Sequence, residues 1–134
     1  MRVQTNLDIH QRRVEAAEYS AGLATSEVHS IVEQVIQSHR LGGRMLDYGA
    51  GLGALTRRLI ALQCFDEVAA ADIMAVPPDL ATTVDWIEQD LNVPLPNDGN
   101  AFDVVVAAEV IEHLALSGTR HTWTGNRRRC ICRV

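Results

Sequence analysis

The sequence predicts an α/β fold: a parallel sheet whose strands are joined by helices, with the chemistry gathered where the strands end. Three observations predict it. Arg44-Met45-Leu46-Asp47-Tyr48 is a short, largely apolar run that enters Gly49-Ala50-Gly51-Leu52-Gly53, with Leu55, Leu59 and Leu62 at helical spacing behind it. Two later runs close on Asp72 and Asp90, and a third, Phe102 to Ala107, is wholly apolar but for Asp103. Strands that follow one another through crossovers lie parallel, and open parallel sheets take ligands at the carboxyl edge, where Asp47, Asp72, Asp90 and Glu109 all fall.

The elements follow in chain order. Residues 6–21 carry a weak helical pattern through Leu7, Val14 and Ala17, with Gly22 beyond its end. Ser26 is placed to cap a clearer helix, because Val28, Ile31, Val32, Val35, Ile36 and His39 recur at helical spacing before Gly42-Gly43. That stripe is core packing, and His39 fits a helix C-terminus, where its partial charge is favoured. After the glycine turn, a helix is expected from Gly53 to about Gln63 with Arg57 and Arg58 outward. Val68 to Ala71 is a buried strand, Met74 to Pro78 an irregular connection, and a short helical piece fits from Pro78 to Thr82. Val84 to Asp90 reads as a strand near the sheet edge, its charges needing water on one side, with Asp85 and Glu88 solvated. Asn92 to Asn100 is a loop, and Phe102 to Ala107 a buried fourth strand.

Composition excludes several classes. At 134 residues the chain has the length of one domain, and no apolar stretch approaches the ~20 residues of a membrane span or the core of a signal peptide. Cys64, Cys130 and Cys132 are too few and too ill-spaced for a disulfide framework, which fits a reduced, cytoplasmic compartment. All 12 basic residues are arginine, and the 17 acids end at Glu112, so residues 1–119 carry a net −10 and residues 120–134 a net +5. An acidic body argues against nucleic acid as the main partner.

Glycine turns of this kind bring backbone amides close to a ligand. Gly49, Gly51 and Ala54, with Asp72 further on, fit a dinucleotide fingerprint, so an NAD(P)-binding domain is one reading. Asp47 speaks against it, because a carboxylate beside a dianionic pyrophosphate is repelled. A cofactor with a sulfonium, an ammonium and no phosphate would suit that acid.

Leu46-Asp47-Tyr48-Gly49-Ala50-Gly51-Leu52-Gly53 resembles the first motif of the class I S-adenosylmethionine-dependent methyltransferases, and Asp72, Asp90 and the Phe102 to Leu114 segment follow in that family's order. The likeness spans roughly residues 27–116. It implies a Rossmann-like parallel sheet of order 3-2-1-4 with N-terminal helices against it, S-adenosyl-L-methionine as cofactor and a small-molecule methyl acceptor. It implies cofactor binding by Asp47, Gly49, Ala50, Gly51, Gly53 and Glu109, by Asp72 at the ribose diol, and by Asp90 and the Leu91 amide at adenine. Glu109, Glu112 and His113 share one helical face. This Glu-x-x-Glu-His element is similar to the metal-binding element of small-RNA 3′-terminal 2′-O-methyltransferases; without a metal, Glu112 and His113 are candidates for a catalytic role at the acceptor.

A complete fold of that family has seven strands. Residues 1–116 are therefore expected to form the first part of a methyltransferase domain. Residues 117–134 break in composition, show neither helical nor strand period, and read as a truncated or out-of-frame end, mobile beyond about Ser117. On this reading the edge of the fourth strand is exposed and prone to association, and a non-catalytic cofactor-binding fragment is the further alternative.

Overall fold

A computed structural model describes residues 11–12, 14–15, 26–93, 95, 102–108 and 129–133 of the chain, the last five as backbone. The elements are α1 (Ser26–Ser38), β1 (Gly43–Tyr48), α2 (Ala54–Ala61), β2 (Phe65–Asp72), β3 (Asp85–Glu88), β4 (Val104–Ala108) and β5 (Arg129–Arg133). All sheet pairings are parallel, and the strand order is β3-β2-β1-β4-β5. The expected 3-2-1-4 arrangement is therefore present, with one strand more.

Alternation along the strands makes two cores. Met45, Val104 and Val106 point to the helical layer and meet Val32 and Ile36 of α1 and Leu55 and Leu59 of α2. Leu46, Ala69, Ala71, Val105 and Ala107 point to the other face, where Tyr48, Leu91 and Phe102 pack. A fork from Arg58 holds the helices together: its guanidinium donates to both Glu33 oxygens at 2.7 and 2.9 Å, to Ser30 Oγ at 3.0 Å and to the Ser26 carbonyl at 3.1 Å. Arg58 is thus a tie between α1 and α2 and not simply an outward-facing charge.

Several boundaries differ from expectation: β3 is shorter than the expected 84–90, β4 starts two residues later than Phe102, and three further differences have a visible cause. α1 stops at Ser38, ahead of Gly42, because Arg40 takes a left-handed φ of 50° and the Leu41 amide turns back to the Ile36 carbonyl at 3.0 Å, a helix-closing pattern made here without glycine. β2 begins at Phe65, since Arg44 and Glu67 are register partners and pair as ions across β1 and β2. Residues 78–83 form hydrogen-bonded turns in place of the short helical piece, Leu80 N–H to Pro77 and Thr83 N–H to Leu80.

The fourth-strand edge requires a correction. β5 pairs with β4 from Val104↔Arg129 to Ala108↔Arg133, so that the edge expected to be exposed carries a strand at residues 129–133. The physical reason is that a strand edge is a row of unmet main-chain donors and acceptors, which Arg-Cys-Ile-Cys-Arg satisfies with its backbone whatever its side-chain period. Residues 117–128, and the weak helix at 6–21 apart from helical residues 11–12 and 14–15, lie outside the described residues.

Candidate functional site

The glycine turn stands at the carboxyl end of β1, between β2 and α2. Gly49, Gly51 and Gly53 all take left-handed φ angles, 84°, 58° and 83°. Two of them differ in what a side chain would meet. A Cβ at Gly53 would come to 2.5 Å from Leu80 Cδ1, so its absence lets the 77–80 turn pack against the loop. At Gly51 a Cβ would meet nothing within 4 Å: the turn is open there, as a cradle for a ligand is.

The turn is stitched to the end of β2. The Gly49 and Ala50 amides donate to the Ala71 carbonyl at 2.8 and 3.2 Å, Gly53 N–H donates to the Ala50 carbonyl at 2.9 Å, and Gly51 N–H donates to Asp72 Oδ2 at 2.8 Å. The other Asp72 oxygen accepts from Met74 N–H at 2.9 Å. Asp72 therefore joins the turn to the chain leaving β2, and two accepted bonds leave lone pairs on the carboxylate for further donors. On the outer side, Arg57 grips Asp79 through two bonds at 2.6 and 2.8 Å and the Leu52 carbonyl at 2.9 Å. No side chain caps the N-terminus of α2.

Asp47 sits beneath the turn, only 2% exposed, and accepts the Thr56 hydroxyl at 2.7 Å. Its place follows from alternation: Met45 and Asp47 share the face toward α2. Burial pushes its carboxyl up to about 6 against the Thr56 bond that holds it down, and the charge of Asp72 adds to the rise. It is a group below the loop, supporting it.

At the end of β3, Asp90 Oδ1 accepts from both Asn92 N–H and Asn92 Nδ2 at 2.9 Å, closing a turn around Leu91. The buried Tyr48 hydroxyl reaches the Leu91 carbonyl at 2.8 Å; burial pushes its phenol up to about 12, with the charge of Asp90 adding. Trp86 Nε1 donates to the Met74 carbonyl at 3.0 Å and holds the connection after β2. The structure thus gathers Asp47, Gly49, Ala50, Gly51, Gly53, Asp72, Asp90 and Leu91 at one edge. Glu109, Glu112 and His113 lie outside the described residues, and His39 is exposed at the start of β1, the opposite edge.

Thr56, Tyr48, Arg57 with Asp79, and Trp86 are the participants that pattern reading missed. A threonine inside the apolar stripe of α2 was the available signal for Thr56, since a buried hydroxyl must find a partner. The others depend on tertiary contacts with no local signature.

A parallel sheet of this order, with a glycine turn after β1 and acids at the ends of β1, β2 and β3, is the Rossmann-like arrangement that class I S-adenosylmethionine-dependent methyltransferases have. Residues 11–117 match the methyltransferase domain family, and the chain belongs to that family. Solved structures share the fold. One is a Methanococcus maripaludis protein assigned to the S-adenosyl-L-methionine-dependent methyltransferases, 19% identical, TM-score 0.57, covering 87% of this chain and 57% of that one. The N-methyltransferase NodS of Bradyrhizobium japonicum, solved with S-adenosyl-L-homocysteine, is 21% identical, TM-score 0.53, over 66% of this chain and 47% of its own. The methyltransferase domain of bacterial CtHen1-CN is 20% identical, TM-score 0.53, over 65% and 51%. The chain thus spans about half the length of these structures. No curated protein sequence matches it.

Proposed function

We propose that the chain binds S-adenosyl-L-methionine at the carboxyl edge of the sheet and serves methyl transfer to a small-molecule acceptor. One observation carries the choice over a dinucleotide: the amides of Gly49, Ala50, Gly51 and Gly53 already donate within the chain, that of Gly51 to a carboxylate. A pyrophosphate needs those amides and would meet Asp72 in their place, with Asp47 below. A cation that brings its own hydroxyl and amino donors meets acceptors. The residues present fit such a group: a turn open at Gly51, Asp72 beside it, and Asp90 with Leu91 at the neighbouring strand end.

In this reading Asp72 accepts the ribose diol, Asp90 accepts from the adenine amino group, and the Leu91 amide donates to a ring nitrogen. The glycine turn forms the floor under the ribose and the methionine portion, and Glu109, next in sequence after β4, is a further candidate to bind the cofactor. Asp47 holds the turn from below through Thr56 and lends a negative potential to the ammonium end. The bound cofactor supplies a methyl group already activated by its sulfonium. The chain supplies orientation, which for an in-line transfer is the larger part of the work. Glu112 and His113 are the candidates to face the acceptor.

The acidic body, net −10 over residues 1–119, supports a small acceptor over a nucleic acid. Among the described residues no helix is long and apolar enough to cross a membrane. Cytoplasmic residence belongs to the same proposal, supported by Cys64 as a free, exposed thiol. Calorimetric titration of the whole chain tests the cofactor: S-adenosylhomocysteine is expected to bind in preference to NAD. Tighter NAD binding would overturn the reading, and S-adenosylhomocysteine binding by a chain that transfers no methyl from S-adenosyl-L-methionine to any small-molecule acceptor would mark a cofactor-binding fragment.

A further inference from the structure

Tyr48 makes a bond that packing does not require. β1 is central and β3 lies two strands away, yet the Tyr48 hydroxyl donates to the Leu91 carbonyl beyond the end of β3, at 2.8 Å. The ring crosses β2 at its narrowest side chains. Ala71 is the register partner of Tyr48, and Ala69 lies on the same face. At the far end the peptide between Leu91 and Asn92 is fixed on both sides, its carbonyl by Tyr48 and its N–H by Asp90 Oδ1 at 2.9 Å. The same oxygen takes Asn92 Nδ2 at 2.9 Å, so the buried phenol and the carboxylate together fix the turn that carries the Asp90 side chain and the Leu91 N–H.

We propose that Tyr48 is a positioning residue that sets which base the site accepts, because it aims the Asp90 carboxylate and the Leu91 N–H as an acceptor and donor pair. That pair is complementary to adenine, whose edge presents an amino donor and then the N1 acceptor. It is mismatched with a 6-oxopurine, whose edge presents the same two functions reversed. The inference rests on the cofactor reading given above. A base held by a well-oriented polar pair is discriminated far more strongly than one held by shape, because the wrong base leaves desolvated groups unmatched.

The test compares S-adenosylhomocysteine with S-inosylhomocysteine by calorimetry on the full chain. The parent is expected to prefer adenine by roughly a hundredfold, and Tyr48→Phe, which keeps the ring and removes the hydroxyl, to lower that preference to about tenfold or less. A purely structural tyrosine would weaken both ligands together and leave the ratio unchanged, which would overturn the proposal. Asn92→Ala, in a half-buried loop position, removes one bond to Asp90 Oδ1 and is expected to lower the ratio in the same direction. If Tyr48→Phe does not fold, this second variant decides by the same two outcomes. A parent that binds neither ligand sinks the cofactor reading and this inference with it; a parent that binds the adenine compound with a ratio unmoved in the variants sinks only the inference.

Discussion

The two ends of the sheet are both rich in charge and use it differently. At the amino edge the charges stand in water, one pair bridging two strands and one carboxylate, that of Asp103, taking the Arg44 amide at 2.9 Å. Arg44 bridges to Glu67 and lies 5.3 Å over the Phe102 ring, Asp66 and Asp85 are exposed, and Arg44, Asp66, Glu67 and Asp85 border a cleft of about 540 Å³. At the carboxyl edge the carboxylates hold main chain: Asp72 takes the amides of Gly51 and Met74, and Asp90 takes that of Asn92. The first arrangement clamps neighbouring strands at an exposed end of the sheet. The second determines the course of two loops, so the site is marked by what its acids bind and not by the volume of the nearest void.

The strongest way to break this contrast is at Asp72. Removing its carboxylate takes away both the proposed ribose acceptor and the tie between the turn and β2. Asp72→Ala is expected to lose about 2 to 4 kcal/mol of cofactor binding, roughly thirty- to a thousandfold in Kd by calorimetry. A Kd within about twofold of the parent would reduce Asp72 to a turn residue.

Asp47 gives a smaller effect with the opposite sign. Its folded pKa is raised from 3.8 to about 6, so the folded state holds a proton over that range that the unfolded chain has released. The contribution of Asp47 is therefore fully favourable below pH 3.8 and is lost as pH rises through about 6. At ~1.4 kcal/mol for each pH unit of difference, the ionised carboxylate costs roughly 2 to 3 kcal/mol at pH 7.5. Asp47→Asn retains an acceptor for the Thr56 hydroxyl and is expected to stabilise the chain by about that amount at pH 7.5, with little change at pH 4, in urea unfolding at the two pH values. Equal effects at both would show that Asp47 is not held in this burial.

The amino edge supplies the smallest effect. Glu67→Gln removes a half-exposed ion pair, so a stability change within about 0.5 kcal/mol and an unaltered cofactor Kd are expected. A cofactor Kd that moved with Glu67 would erase the distinction between the two edges.

Much of this plan was legible before any coordinates. Asp47, Asp72 and Asp90 each end an apolar run, and the sheet order follows from runs joined by crossovers in turn. The glycines of the turn were equally plain, since only a close approach or a positive φ asks for three in five residues. The stop of α1 was not legible, because Arg40 takes the left-handed φ through the bonds that close the helix and not through its own preference. β5 was hidden for another reason: parallel pairing draws on backbone groups that every residue but proline carries, so its side chains needed no pattern. Asp47 was legible as an acid before the turn, but its bond to Thr56 was not, because that partner lies nine residues on, in a helix whose rotation pattern alone does not specify.

The stitching of the glycine turn to β2 bears on how a ligand enters. Four of its amides and the Leu52 carbonyl are engaged before any ligand arrives, so the conformational entropy of that loop is surrendered when the chain folds and not when the cofactor binds. This wall of the crevice is preorganised, and any closing motion around the cofactor has to come from the elements opposite it.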